Sequence, residues 1–323
     1  MSSDDLLLGL DFGGTKLAAG LVNVQRGELV ASLRRPTPAA EGAQATLAVM
    51  LTMARELVEQ APGAVTGVGI NFGGPVDAAT GVVLHSHHVA GWDSVPLAAT
   101  VAGALGLPAA LENDANGQAL AEWRFGAGRG SRAMAYLNIG TGIGGGLVLD
   151  GRLWRGAHGL AGEFGHLVIQ PGGPLCTCGR HGCLEALAGG PAMGRRVRAA
   201  LAGLPPATQA QNVMVQRAGS VSCVTGRELT AAAAEGDVLA LSVLDDIFGD
   251  LAQGIATVQN SVDPDLLVLG GGAADIAPAL LARLFTRVRL ACLSGTEAFV
   301  VLRRAALGAD AGIYGGAAVF LQR

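Results

Sequence analysis

Cys176, Cys178 and Cys183 stand in the run Cys-Thr-Cys-Gly-Arg-His-Gly-Cys-Leu-Glu, where glycines permit turns tight enough for three thiolates to converge on one tetrahedral ion. Zinc is the metal such donors favour; the plain alternative is a set of reduced structural cysteines. His166 and His181 are candidates for the fourth ligand. His181 lies inside the short Cys178 to Cys183 loop and would need a strained geometry, so His166, approaching from outside, is preferred. A ligating imidazole keeps a second nitrogen for a hydroxyl or a carboxylate, and the metal would thereby organise Glu163, His166 and Glu185 for polyol recognition. Four protein ligands leave no open position for water, which argues against metal-assisted hydrolysis.

A second chemistry is written in glycine turns. In Asp11-Phe12-Gly13-Gly14-Thr15-Lys16 the glycines let backbone N–H groups approach a phosphate, and the carboxylate can hold a magnesium-bound water. A tight hairpin turn is the bland alternative. The run is not a Walker A loop, because Lys16 follows Thr15 and no helical pattern comes next. Gly140-Thr141-Gly142-Ile143-Gly144-Gly145-Gly146 repeats the device, and two such turns facing each other would clamp a polyphosphate between lobes. Gly270-Gly271-Gly272 ends an apolar run, where a nucleotide could lie flat on the backbone.

Glu112-Asn113-Asp114-Ala115-Asn116 joins a strand-like segment to a helix-like one. Asp or Asn there is an ordinary helix cap. The functional alternative makes Asp114 a general base that takes the proton of a hydroxyl as it attacks phosphorus. Phosphoryl transfer rests mainly on positioning and charge neutralisation, which suits a site built from loops, a cation and one base.

The elements that must hold these residues are readable in outline. Leu6 to Asp11, Lys16 to Asn23 and Glu28 to Leu33 read as strands, and the pattern returns at Met134 to Ile139, Gly144 to Leu149 and Arg152 to Trp154. Two halves of one topology follow. Val65 to Asn71, Ala109 to Glu112 and Leu266 to Leu269 look like further buried strands. Helical periodicity marks Ala45 to Gln60, Ala115 to Phe125, Arg227 to Ala234, Val238 to Val258, Ala277 to Leu290 and the small-residue segment from Ala309 to Leu321. Strands alternating with helices indicate an α/β class. Gly203 to Ser222, with its Pro205-Pro206 pair, reads as a surface excursion.

At 323 residues the chain exceeds what one core usually serves. The expected division is a smaller lobe of residues 1–116 plus 309–323 and a larger lobe, 117–308, carrying the cysteine loop. No apolar run is long enough for a bilayer, the start is acidic rather than a cationic leader, and a cytoplasmic location is expected. A formal charge of −4 argues against broad nucleic-acid binding. Arg195, Arg196 and Arg198 read as a solvated helix face.

Taken in order, these segments resemble the ROK family of sugar kinases, repressors and related proteins, and within it the bacterial glucokinase branch. The resemblance runs through Asp11 to Lys16, Gly73-Gly74-Pro75-Val76-Asp77, Glu112 to Asn116, Gly140 to Gly146, Gly162-Glu163-Phe164-Gly165-His166, Cys176 to Glu185 and Gly270 to Gly272. It implies an actin-like ATPase (ribonuclease H-like) fold with an interlobe cleft, ATP with Mg2+, zinc on His166, Cys176, Cys178 and Cys183, and Asp114 as base. Gly74, Asn113, Asp114, Glu163, His166 and Glu185 are the implied sugar contacts. Asp11, Gly13, Gly14, Thr15, Lys16, Thr141, Gly142, Gly270 and Gly271 are the implied nucleotide contacts. A homodimer, or a tetramer, is the implied assembly. The sequence departs from the family at Phe72, where a proline is usual, and at His88, four residues before Trp92, where many family kinases have asparagine. His85, His87 and His88 could therefore alter sugar preference; a histidine-rich surface loop is the alternative.

Glucose leads as substrate, with N-acetylmannosamine, N-acetylglucosamine, mannose and fructose open. Three other classes compete. A repressor would need a DNA-binding domain, and only ten residues precede Asp11. A sugar sensor without turnover is less compatible with Asp114. A dinucleotide oxidoreductase lacks a strand, G-x-G-x-x-G and helix unit.

Overall fold

The computed structural model describes residues 5–86, 88–272 and 275–323. His87 lies outside the described residues. The chain opens on β1 (Leu6–Phe12), β2 (Lys16–Asn23) and β3 (Glu28–Pro36), followed by α1 (Gly42–Glu59), β4 (Val65–Phe72), the short pair β5 (Val76–Asp77) and β6 (Val82–Val83), α2 (Leu97–Leu105), β7 (Ala109–Asn113) and α3 (Asp114–Phe125). It continues through β8 (Ala133–Ile139), β9 (Ile143–Leu149), β10 (Arg152–Leu153), α4 (Leu184–Ala188), α5 (Gly190–Ala202), α6 (Pro206–Gln211), α7 (Val213–Ala218), α8 (Gly226–Ala234) and α9 (Val238–Val262). The last elements are β11 (Leu266–Gly270), α10 (Pro278–Ala291), β12 (Leu302–Arg304) and α11 (Ala311–Leu321).

The chain forms two compact units: Met1–Tyr136, Gly146–Gly162 and Ala305–Arg323 make the first, Leu137–Gly145 and Glu163–Arg304 the second. α3, the segment at which the sequence places the change of lobe, lies wholly inside the first unit. It packs on α11, and the Glu122 carboxylate accepts the amide hydrogens of Ala306 at 3.0 Å and Leu307 at 2.9 Å, which ties the returning chain to it. The final helix belongs to the first unit.

The first sheet has the order β3-β2-β1-β4-β7, with β1 antiparallel to β2 and parallel to β4, and β4 parallel to β7. β1 and β4 are near-continuous apolar runs because both faces are covered. On one face Met50, Met53, Leu57, Val68, Ile70 and Trp92 belong to a buried cluster; on the other, Ile313, Ala317 and Phe320 of α11 pack with Leu7 and Val22. Here helix and strand meet backbone to backbone, for a β-carbon at Gly69 would overlap the carbonyl of Gly316. The second sheet, β10-β9-β8-β11-β12, repeats the sequence of a hairpin followed by parallel strands.

Residues 203–222 are more ordered than the sequence suggests, since they carry α6, α7 and a turn of 3-10 helix. Pro206 falls at the first position of α6, where its missing N–H costs nothing, and Asn212 caps α7 by accepting the Met214 amide at 2.9 Å. The three arginines of α5, of which Arg195 is exposed and the others half-buried, are tied to neighbouring segments rather than left free. Arg195 donates to the Ala186 carbonyl at 3.1 Å, Arg196 pairs with Asp250, and Arg198 donates to the Val224 carbonyl at 2.8 Å.

Candidate active site

Sheet register gathers the candidate residues of the first unit. Asp11 pairs with Asn71, and Asn71 with Glu112, so one row across β1, β4 and β7 carries three polar side chains at the carboxyl ends of parallel strands. In open α/β sheets that is where ligands bind. The next row, Phe12, Phe72 and Asn113, points to the opposite face. Phe12 and Phe72 close there around buried Trp92, with ring centroids 5.7 Å and 5.0 Å from the indole, and form an apolar floor beneath the Gly13-Gly14 turn. The phenylalanine at position 72, where the family resemblance implies proline, belongs to this floor.

The turn is held by its own backbone and by the next loop. The Gly13 amide donates to the Lys16 carbonyl at 3.2 Å, the Thr37 amide to the Thr15 carbonyl at 3.1 Å, and the Thr37 hydroxyl to the Gly13 carbonyl at 2.7 Å. Thr15 and Lys16 are exposed. A β-carbon at Gly14 would stand 3.0 Å from the Cβ and Cγ of His88, so this exposed histidine lies alongside the turn. A β-carbon at Gly74 would stand 2.9 Å from the His85 carbonyl, so only glycine keeps that loop closed.

At the β7–α3 junction the helix cap and a buried acid are neighbouring residues. Asn113 is the cap: its Oδ1 accepts the Ala115 and Asn116 amides, while its Nδ2 donates to the Gly74 carbonyl at 3.2 Å. Asp114 is the first helical residue, and its Oδ1 also takes the Ala115 amide, at 2.9 Å. Burial pushes the Asp114 carboxyl up to about 6, against the opposing pull of the Ala115 amide and of His88. Burial, then the charge of Asp114, push Asp11 up to about 7, with Lys16 and Arg34 pulling the other way. Two carboxylates held this way in one unit make a suitable seat for a cation or a proton.

Sequence reasoning missed the support of this junction. Glu112 is 2 % exposed and accepts the Arg155 Nε at 2.6 Å, the Asn116 Nδ2 at 3.1 Å and the Asn113 amide at 3.0 Å. The signal was one charged residue in an otherwise apolar strand; its partner, 43 positions away, had none.

The second unit supplies the other glycine turn. The Gly140 amide donates to the Gly142 carbonyl at 2.9 Å, and the Gly190 amide to the Gly140 carbonyl at 2.8 Å. Gly270 ends β11, and Gly271 has a φ of 74°, the left-handed region, where a β-carbon would also overlap Asn138. A cavity of about 550 Å³ opens beside these turns, lined by Gly140, Thr141, Gly190, Met193, Arg198, Thr225, Arg227, Gly272 and Ile276 among others. Its α5 and α8 walls were not expected from the sequence. Glu185 accepts the Ile143 amide at 2.9 Å and the Thr177 hydroxyl at 3.2 Å.

The cysteine loop gathers a metal-type donor set. One ligand atom each from His166, Cys176, Cys178 and Cys183 lies within 4.8 Å of every other. The His166 Nδ1 stands 3.6 Å from the Cys176 Sγ, and its Nε2 stands 3.8 Å from the Glu163 carboxylate, the second-nitrogen contact expected of a ligating imidazole. His181 turns away, its Nδ1 2.9 Å from the Gly173 carbonyl. N–H donors of Arg180 hold the Cys178 thiol down to about 6, whereas burial first and shared hydrogen bonds second push Cys183 up to about 12. Three sulfurs and one imidazole nitrogen gathered this closely are the donor set that a tetrahedral zinc takes.

Similar proteins extend this picture. The model of the ROK family matches residues 7–323. The glucokinase of Thermotoga maritima is 33% identical over 318 residues, 98% of this chain and 98% of that protein. The crystal structure of a ROK family glucokinase from Streptomyces griseus, in complex with glucose and AMPPNP, is 32% identical, with a TM-score of 0.82 and 98% of both chains covered. A ROK family transcriptional regulator homologous to the E. coli Mlc protein is 28% identical, with a TM-score of 0.83 over 99% of this chain and 78% of that one. With its paired α/β sheets and a match that runs from the first strand to the last helix, this chain belongs to the ROK family and has the actin-like ATPase fold of the family's sugar kinases.

Proposed function

We propose that this chain is an ATP-dependent hexose kinase, with glucose as its leading substrate and glucose 6-phosphate as product. The observation that carries this is Asp114, a carboxylate at the first turn of α3 whose burial raises it to about 6, close to the working range of a general base. It takes the proton of the sugar hydroxyl while that oxygen bonds to the γ-phosphorus and the bond to ADP breaks. Gly74 and Asn113 are assigned to the sugar through the backbone and the amide side chain, and Glu163, His166 and Glu185 through hydrogen bonds to its other hydroxyls.

Gly13, Gly14, Thr15, Lys16, Thr141, Gly142, Gly270 and Gly271 are assigned to ATP, with the 550 Å³ cavity taking the base. Mg2+, when bound, neutralises phosphate charge; Asp11, whose ionised form is disfavoured by burial and by Asp114, suits it. His166, Cys176, Cys178 and Cys183 are assigned to a structural zinc, which fixes His166 and the start of α4. Five free cysteines accord with a reducing, cytoplasmic location, and no described helix is long and apolar enough to cross a membrane. A homodimer is the assembly that the family resemblance implies.

A second reading of the substrate is favoured by His88, which lies against Gly14 and influences Asp114. An imidazole in place of the family's asparagine alters the sugar preference, and N-acetylmannosamine, N-acetylglucosamine, mannose and fructose are the alternative substrates. A coupled assay of ADP release across this panel decides. ATP- and glucose-dependent turnover is expected; sugar binding without ADP release would make the protein a sensor and overturn the kinase.

A further inference from the structure

We propose that the first unit carries a second ligand site, for a small dianionic phosphoryl compound, and that its occupancy acts on the junction holding Asp114. A cavity of about 520 Å³ is lined by Arg124, Arg152, Arg155 and Arg323, with Trp123 and Gln322 among its walls, and by no Asp or Glu side chain. Arg124, Arg152 and Arg323 have no carboxylate partner among the described residues. Arg155 is already paired with Glu112, and the other three guanidinium groups around this concavity repel each other and leave a positive field that an entering anion relieves. The planar guanidinium fork matches phosphate oxygens, and three terminal oxygens can engage several forks at once. The size suits a phosphate, a pyrophosphate or a hexose phosphate. A concave pocket on a chain of net charge −4 is unlike the basic stripe that nucleic acid requires.

The pocket is built rather than accidental. Gln322 is fixed by donating to the Gly151 carbonyl at 2.8 Å and accepting the Leu153 amide at 3.0 Å, and Trp123 donates to the Ser131 carbonyl at 3.0 Å. Arg155 reaches buried Glu112 through Nε, which leaves its terminal nitrogens for a ligand. Glu112 in turn holds Asn113 and Asn116, the residues around Asp114. An anion that draws on Arg155 therefore changes how firmly the general base is positioned. This coupling rests on the kinase reading; the binding does not.

Isothermal titration of the protein saturated with glucose, AMPPNP and Mg2+ tests the site, with inorganic phosphate, pyrophosphate and glucose 6-phosphate as separate probes. One probe should bind at one site per chain, and the best of the three identifies free phosphate or sugar phosphate as the ligand. The double variant Arg124→Ala/Arg152→Ala should weaken it by at least about tenfold, while turnover without added anion stays unchanged. No binding of any probe at about 10 mM, or wild-type affinity in the double variant, would overturn the site. Repeating the titration without sugar and nucleotide keeps its failure distinct from failure of the kinase reading. A bound probe that leaves kcat unaltered would overturn the coupling.

Discussion

Glu185 and Ile143 are joined by a 2.9 Å hydrogen bond from the Ile143 amide to the Glu185 carboxylate, so the residue that opens α4 behind the cysteine loop also pins the glycine turn ahead of β9. The other carboxylate oxygen takes the Thr177 hydroxyl. Glu185→Ala should therefore raise KM for ATP as well as for glucose and lower kcat/KM by about 10–100-fold. Steady-state kinetics with each substrate varied in turn checks this; an unmoved KM for ATP would reduce Glu185 to a sugar contact.

Removing the base while keeping its shape isolates its chemistry. Asp114→Asn should lower kcat by roughly a hundredfold or more and leave the glucose dissociation constant within about threefold. Calorimetry paired with the coupled assay reads both, and near-normal turnover would remove Asp114 from its role.

The pH dependence has a definite sign. Asp114 must be deprotonated to accept a proton, and burial raises it to about 6, so kcat/KM should fall about tenfold per pH unit below that value and level off above it. A profile flat between about pH 5 and 7 would show that another group does the work.

His88 contributes to that value by pulling Asp114 down. His88→Asn should shift the acid limb toward higher pH, since a favourable charge is lost, and change the ratio of kcat/KM for glucose to that for N-acetylmannosamine by about threefold or more. Unaltered specificity with a shifted limb would make the residue electrostatic only.

The thiolate loop should carry about one zinc per chain, measurable by elemental analysis. Cys178→Ser should lose most of it and lower the thermal midpoint by several degrees, with glucose affinity falling in parallel because His166 and Glu163 lose their anchor. A full zinc complement in that variant would show the metal to be held elsewhere.

Much of this was legible locally. Apolar runs such as Leu6–Phe12 and the glycine turns announced themselves because strand period and turn chemistry are short-range, and the cysteine spacing did the same. What escaped was long-range or dense in small residues. The Glu112–Arg155 pair joins β7 to the segment after β10, and no local pattern encodes such a partner. α5 was legible only as a helix face around Arg195, Arg196 and Arg198; the carbonyls of Ala186 and Val224 and the Asp250 carboxylate that these arginines reach lie on other segments and left no local trace. The cap at Asn113 and the acid at Asp114 were ambiguous in sequence because one strand-to-helix step needs both.

The backbone contact between Gly69 and Gly316 has a consequence for biosynthesis. The first unit covers one face of its sheet with a helix made nearly 200 residues after the last of the strands it covers, so until residues 311–321 emerge that face stays wet and the unit stays incomplete. Maturation of the first unit is thereby deferred until that helix has emerged, whereas every segment of the second unit, Leu137–Gly145 and Glu163–Arg304, precedes it in the chain.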